Sequence, residues 1–181
     1  MAESVRETME EKSMDAKFES PVNGDPSPTL TREWTMAALA HASVALALVF
    51  GTAGGIGALI GPAVALAMYL GQRDRSRFVA FHALQACIYQ VIGILLYVAS
   101  AAVMATAVTA AWTVSGLLSA VLIGFLLMPL ALLLTLFMVM VLVGVPLVWL
   151  GYGLYAAYLV YQGRDFRYGV IGEWVEREVN I

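Results

Sequence analysis

Two long apolar blocks dominate the pattern of the chain. No Lys, Arg, Asp or Glu occurs in residues 34–72, and none occurs in residues 78–163. A soluble helical protein carries charged residues on the outer face of each helix. Blocks of this length cannot supply such faces, so the pattern predicts an all-α, polytopic membrane helix bundle with lipid as its outer solvent.

The first block has the length of two spans of roughly 20 residues each. Near its midpoint the residues 51–57 read G-T-A-G-G-I-G, and such a density of glycine disfavours helix and suits a turn. We therefore predict a helical hairpin with spans at 32–50 and 57–72.

The glycines of this hairpin have a second interpretation. Gly51/Gly55 and Gly57/Gly61 have the GxxxG spacing of close helix contacts. Pro62, directly after Gly61, predicts a kink in the second span. Which of the two roles the Gly57/Gly61 pair has is left open by the sequence.

The second block is too long for two ordinary spans and too short for four with loops. Arginines lie before it in residues 73–77 and after it in residues 164–167. The positive-inside rule places both groups on the cytoplasmic face, which requires an even number of crossings. We predict two spans, at 78–104 and 130–161.

The excess length then falls in residues 106–128, which are rich in Thr and Ser. This region suits the far membrane interface or a re-entrant piece. Pro146 predicts a bend in the fourth span. A five-span alternative breaks the helix at Pro129 or at Pro146 and places the C-terminus outside.

The ends of the chain complete the predicted organisation. Residues 1–30 are acidic and polar, and we expect them to form a disordered cytoplasmic tail. Residues 31–163 form the transmembrane domain, and residues 164–181 form a short cytoplasmic tail. Both termini are therefore predicted to be cytoplasmic.

Six polar side chains stand inside the predicted first and third spans. Intramembrane polar groups are costly unless they are paired, so they are candidates for function or for hydrogen bonds between helices. His82, Gln85 and Tyr89 share one helix face, because they are three and four residues apart. The full cluster comprises His41, Ser43, His82, Gln85, Tyr89 and Gln90.

Other chemistry has little support. No Walker loop, H-E-x-x-H or G-x-S-x-G motif is present, and the blocks at 34–72 and 78–163 hold no carboxylate. We expect neither an enzyme nor a cofactor. Two histidines and the lone Cys87 are too few ligands for a metal site, so none is predicted. No basic stripe suggests nucleic-acid binding.

Four segments resemble the Tic-twenty-like membrane proteins, a group that contains a chloroplast inner-envelope translocon subunit and many bacterial proteins of unassigned function. Residues 78–90 read F-V-A-F-H-A-L-Q-A-C-I-Y-Q and residues 34–43 read W-T-M-A-A-L-A-H-A-S. The others are I-G-P at 60–62 before the charged loop, and G-R-D-F-R-Y-G-V-I-G at 163–172. The residues that match the motif are Phe81, His82, Gln85, Tyr168 and Gly172, whereas Gly169 stands where that family usually has proline.

The resemblance implies a four-span bundle with both termini on one side, in a bacterial plasma membrane. It favours a non-enzymatic subunit that associates with other membrane proteins or with itself, in protein transport or assembly. The alternative is a small channel or carrier for a solute or ion that uses the intramembrane His/Gln/Tyr cluster. The sequence identifies neither cargo nor partner, and it leaves the oligomeric state open.

Overall fold

The computed structural model describes residues 28–53 and 55–179. The chain divides by its internal contacts into Met1–Arg32 and Glu33–Ile181. Only residues 28–32 of the first unit are described, as the start of helix α1. Most of the tail that we predicted to be disordered therefore lies outside the described residues.

All regular structure in the described part of the chain is helical. Helix α1 spans Pro28–Ala42 and α2 spans Val44–Ala53, followed by a 3₁₀ turn at Gly55–Leu59 and by α3 at Ile60–Gln72. Helix α4 spans Arg77–Leu118, a 3₁₀ turn follows at Ser119–Val121, and α5 spans Ile123–Tyr161. The last helix, α6, spans Gly169–Val179.

Four helical segments are long and apolar enough to cross a membrane, namely Thr31–Thr52, Gly55–Gln72, Arg77–Val121 and Ile123–Tyr161. They form two antiparallel hairpins, a short one of α1–α3 and a long one of α4–α5. The prediction of an all-α membrane bundle with four such helices is confirmed. The five-span alternative is wrong, because α5 continues through both Pro129 and Pro146.

The predicted bounds of the third and fourth helices were too short. We predicted spans at 78–104 and 130–161, with residues 106–128 at the far interface or as a re-entrant piece, but α4 runs to Leu118 and α5 begins at Ile123. Polar residues of this region are accommodated inside the helices. The hydroxyl groups of Thr106, Ser115 and Thr135 each donate to the carbonyl oxygen four residues earlier, at 2.8–2.9 Å.

Pro62 does not kink the middle of a helix. It is the third residue of α3, where the missing N–H removes no helical hydrogen bond. The chain reverses before it, as the glycine-rich pattern predicted. At this turn a side chain on Gly57 would collide with the carbonyl group of Phe50.

The buried core lies at the end of the bundle where α3 ends and α4 begins. It contains residues from the second half of α1, the first fourteen residues of α4 and the last turns of α5. Beyond this core the long hairpin continues as two helices packed on each other, with most side chains exposed. All six polar residues of the predicted cluster fall within the core.

The C-terminal segment was the element that the sequence missed. Gly163 ends α5 with a φ of 76°, and Arg164 N donates to the Leu159 carbonyl at 3.0 Å, which reverses the chain. Residues 164–168 then run back along the core, and α6 packs against α4. We name residues 164–179 the return segment.

Candidate functional site

The buried polar cluster is built around two histidines from different helices. His41 on α1 and His82 on α4 are almost fully buried, and His41 Nε2 lies 3.1 Å from His82 Nδ1. His82 is brought to this position by the start of α4. There the Ser76 side chain caps the helix by accepting from Val79 N at 3.3 Å.

Gln85 joins the histidines to the return segment. Its Nε2 lies 3.2 Å from His82 Nδ1 and donates to the Phe166 carbonyl at 2.9 Å. Its Oε1 accepts from Tyr168 N at 3.1 Å. Both ends of the buried amide are thus engaged, and the backbone of the return segment is fixed to α4.

The hydrogen-bond pattern assigns which ring nitrogen carries the proton in each histidine. His82 Nδ1 faces the Gln85 amide donor and is therefore the acceptor, so His41 Nε2 carries a proton and donates to it. His41 Nδ1 then accepts from the Tyr168 hydroxyl at 3.2 Å. Burial raises the pKa of Tyr168, which keeps its hydroxyl group protonated.

The hydrogen bonds of this series run in one direction: the Tyr168 hydroxyl group donates to His41, and His41 donates to His82. With Nδ1 as acceptor, the remaining His82 proton lies on Nε2, 3.4 Å from Asp165 Oδ1. This nitrogen is within ion-pair distance of the carboxylate but lacks hydrogen-bonding geometry. Asp165 is half-exposed and also pairs with Arg167 at 3.1 Å.

A second part of the cluster lies deeper in the bundle. Gln90 Nε2 donates to Ser43 Oγ at 2.9 Å, and Ser43 Oγ donates to the Ala40 carbonyl at 2.7 Å. Tyr89 OH donates to the Trp149 carbonyl on α5 at 2.7 Å. The Tyr89 ring is stacked between Trp149 and Tyr168, with ring centroids 4.5 and 4.2 Å apart.

The glycines near the cluster act as contact points between helices. A side chain on Gly61 would collide with Ala47, the Ser43 carbonyl and the Gln90 side chain. Gly61 is therefore a close helix contact, one of the two roles that its spacing allowed. Gly172 on α6 lies beside Arg167 and Gln85, where a Cβ would be 3.1 Å from Arg167 Cβ.

Arg167 joins the return segment to the base of α4. Its guanidinium group lies 5.6 Å from the centroid of the buried Phe81 ring and bonds to Asp165 and Glu176. The hydrogen bond that Arg167 donates to the Asp165 carboxylate raises the pKa of Arg167. Nothing in the sequence pattern indicated this arrangement, because Phe81 lies in a predicted span and the three charged residues lie in the predicted C-terminal tail.

Two cavities flank the cluster. One of about 410 Å³ is lined by Tyr89, Trp149, Tyr152 and the start of α6, and it is apolar. The other, of about 210 Å³, lies between the base of α4 and the charged residues of the return segment. Among the described residues, no group of three or more His, Cys, Asp or Glu side chains is arranged to hold a metal ion.

Residues 32–175 match the model of the MamF/MmsF family, described as a magnetosome magnetite crystal formation protein family. The chain belongs to this family. The match covers the two hairpins and most of the return segment, so the family relationship includes the whole buried cluster. No curated protein and no solved structure matches the chain.

The family assignment corrects the resemblance to Tic-twenty-like proteins, which was wrong. The segments that carried it are short and rich in Ala and Gly, which many membrane helices share. The five motif residues still meet in the structure, since Phe81, His82 and Gln85 contact the return segment that holds Tyr168 and Gly172. Their convergence reflects packing in this fold, and their functional role stays a prediction.

Proposed function

We propose that this chain acts in the magnetosome membrane of a bacterium and takes part in the formation of magnetite crystals. We further propose that it acts as a non-enzymatic protein that associates with other membrane proteins. The match of residues 32–175 to the family carries the first part. The transport role suggested by the earlier resemblance loses its basis with the correction of the family.

The distribution of charge supports an indirect action on the crystal. Arginines before α4 and after α5 lie at the same end of the bundle, and the positive-inside rule supports a cytoplasmic position for that end. The opposite end is the uncharged turn around Ser119–Val121. Among the described residues this turn offers no carboxylate that could bind iron, so we infer that partners transmit the effect of the protein on the crystal.

The geometry of the polar cluster supports a structural role. His41, His82 and Gln85 bond to one another and to the return segment. These bonds hold α1, α4 and the return segment together and leave the outer helix surfaces free for association. The histidines are therefore proposed as bundle-forming residues, and no cofactor is required.

The first test removes the gene from the source bacterium and measures crystal size and number by electron microscopy. We expect altered crystals, with normal crystals restored by the wild-type gene. Unchanged crystals would contradict the proposed function.

Photo-crosslinking from exposed Leu133 in isolated magnetosome membranes tests whether the chain associates with other membrane proteins. Recovery of the uncrosslinked chain alone would contradict the proposed association.

A solute or ion carrier remains the second candidate because of one observation. The buried donor chain from Tyr168 to His82 ends at a half-exposed carboxylate, and His82 Nε2 has no hydrogen-bond partner. Flux of protons and divalent cations into liposomes should be compared for the wild type and His82→Ala. Flux equal to that of empty vesicles in both cases would remove this candidate.

A further inference from the structure

The two hairpins differ greatly in how far they reach above the buried cluster. His41 and His82 lie at the same height. From that height, α2 ends twelve residues later at Ala53, a rise of about 18 Å at 1.5 Å per residue. Helix α4 continues from His82 to Leu118, which is about 54 Å.

Charged groups mark where the hydrocarbon can begin. Asp165 lies beside His82 Nε2, and Arg167 lies over the Phe81 ring. Their side chains are 47% and 50% exposed, so they face the surroundings of the bundle at the height of the histidines. Exposed charges are strongly disfavoured in hydrocarbon, so the near edge of the hydrocarbon lies at about the height of His82.

Measured from that edge, only the long hairpin is long enough to cross. The hydrocarbon core is about 30 Å thick, and a bilayer with its interfaces is about 40–45 Å. The rise of about 54 Å in α4 exceeds this distance, so α4 crosses the core with length to spare, whereas the short hairpin covers about half of the core. The exposed apolar surface of the upper long hairpin then faces acyl chains.

We propose that the short hairpin enters only the near leaflet and returns, and that the long hairpin alone crosses the bilayer. This departs from our prediction that the first block crosses twice. Both arrangements return the chain to the same side, so the parity of the termini is unchanged. The proposal does not depend on the function in crystal formation.

Polar and aromatic residues fit this placement at both interfaces. Trp112 donates to Thr135 at 2.9 Å and lies thirty residues after His82, about 45 Å higher, at the far interface. Four tyrosines of α5 are exposed near the opposite end, at positions 152, 155, 158 and 161. Trp and Tyr favour the two membrane interfaces.

The turn of the short hairpin is suited to the acyl region because its described backbone is helical almost throughout. Helix α2 reaches Ala53, and the 3₁₀ turn at Gly55–Leu59 leads directly into α3. Thr52 returns its hydroxyl group to the Val49 carbonyl at 2.7 Å. The exposed side chains at the turn, Ile56 and Leu59, are apolar.

Single cysteines in a Cys87→Ala background can test the depth of each part in the full-length protein in liposomes. Ile56→Cys reports on the short hairpin, because its side chain is 85% exposed. Leu122→Cys reports on the far turn and Asp74→Cys on the near loop. We expect a membrane-impermeant maleimide to label Leu122→Cys and Asp74→Cys from opposite sides, and Ile56→Cys from neither.

A fluorescent label on Ile56→Cys should be quenched most strongly by lipids with a spin label deep in the acyl chain. The same should hold for Val98→Cys, whose residue is exposed and lies about 24 Å above His82. Labelling of Ile56→Cys from the Leu122 side would show that the short hairpin crosses and would overturn the proposal. Labelling from the Asp74 side would overturn it as well.

A second outcome concerns what covers the upper hairpin. If that part stood outside the lipid against a second copy of the chain, Val98→Cys would escape quenching and would form disulfide-linked dimers. That result would also overturn the proposal. Size-exclusion profiles in detergent that match the wild type provide the control for folding of each variant.

Discussion

The pair His41–His82 shows how few polar atoms hold the base of this bundle together. The histidines come from different hairpins, and Tyr168 and Gln85 connect them to the return segment. The bonded polar groups each have a defined donor or acceptor role, so the loss of one leaves its neighbours unpaired in an apolar core. Such losses cost more than the bond itself contributes.

Substituting His82→Leu should therefore destabilise the protein by about 1–2 kcal/mol, because it leaves His41 Nε2 and the Gln85 amide without their shared acceptor. Cys87→Ala removes only a small buried side chain, and we expect a loss below about 1 kcal/mol. Thermal unfolding in one detergent measures both. A larger loss for Cys87→Ala would contradict the role of the histidine pair.

Gly61 and Gly71 form a matched pair on the same helix. Gly61→Ala places a methyl group against Ala47 and the Ser43 carbonyl, and we expect a loss of about 1–3 kcal/mol. Gly71 has no atom within 4 Å of the added Cβ, so Gly71→Ala should be neutral or should stabilise by up to about 1 kcal/mol. Equal unfolding temperatures for the two variants would show that the helix contact is not tight.

At the scale of elements, the return segment depends on one side chain of α4. Gln85 binds the backbone on both sides of Arg167, at Phe166 and Tyr168. A segment fixed in this way is protected from proteases, because cleavage requires local unfolding. Its stability can therefore be measured apart from that of the helices.

Gln85→Leu should release residues 164–168 and increase the rate of tryptic cleavage after Arg167 several-fold. The leucine fills a similar volume but cannot bond to either backbone group. Gln162→Leu is the control, since the Gln162 side chain is exposed and bonds only to the Tyr158 hydroxyl on its own helix. Indistinguishable cleavage of the two variants would argue against the role of Gln85.

The elements also show what could be predicted from the sequence. The absence of charge determined the number and type of the long helices, because lipid exposure leaves no other placement for such blocks. The spacing of His82, Gln85 and Tyr89 placed them on one face, where the structure has them. The meeting of that face with α1 was suggested only by the polar character of His41 and Ser43.

The errors have physical causes. The Thr and Ser residues of 106–128 suggested the far interface or a re-entrant piece, but hydroxyl groups of this region bond within the helix, as Thr106 does with Ala102. The prolines of α5 suggested breaks that the surrounding Leu-rich helix absorbs. The return segment could not be predicted, because its position depends on contacts from Gln85 and Phe81 that are about 80 residues away in the chain.

At the scale of the whole molecule, the long hairpin is the dimension that must match the membrane. Helix α4 has 42 residues and α5 has 39, about 63 and 58 Å. Both exceed the hydrocarbon thickness of an ordinary bilayer, so the protein must tilt or thicken the surrounding lipid. Bilayer thickness should therefore influence its stability.

Reconstitution into phosphatidylcholine bilayers of increasing acyl-chain length should raise the unfolding temperature by several degrees between the thinnest and thickest membranes. The longer chains cover more of the apolar surface between Val98 and Leu122 and reduce the mismatch. A maximum in the thinnest bilayer would contradict this expectation. A four-helix membrane protein with short spans, measured in parallel, controls for general effects of lipid fluidity.

The uncharged turn of the long hairpin also has a consequence for biosynthesis. Residues 119–122 are the whole connection that must pass through the membrane between α4 and α5, and they contain no ionisable group. The insertion machinery therefore meets almost no barrier to moving this turn in either direction, and only the arginines near Arg77 and Arg164 oppose the inverted orientation. Two lysines placed in the turn would favour its retention on the cytoplasmic side, against the arginines at the other end of the hairpin. Newly made protein would then contain a mixture of both orientations.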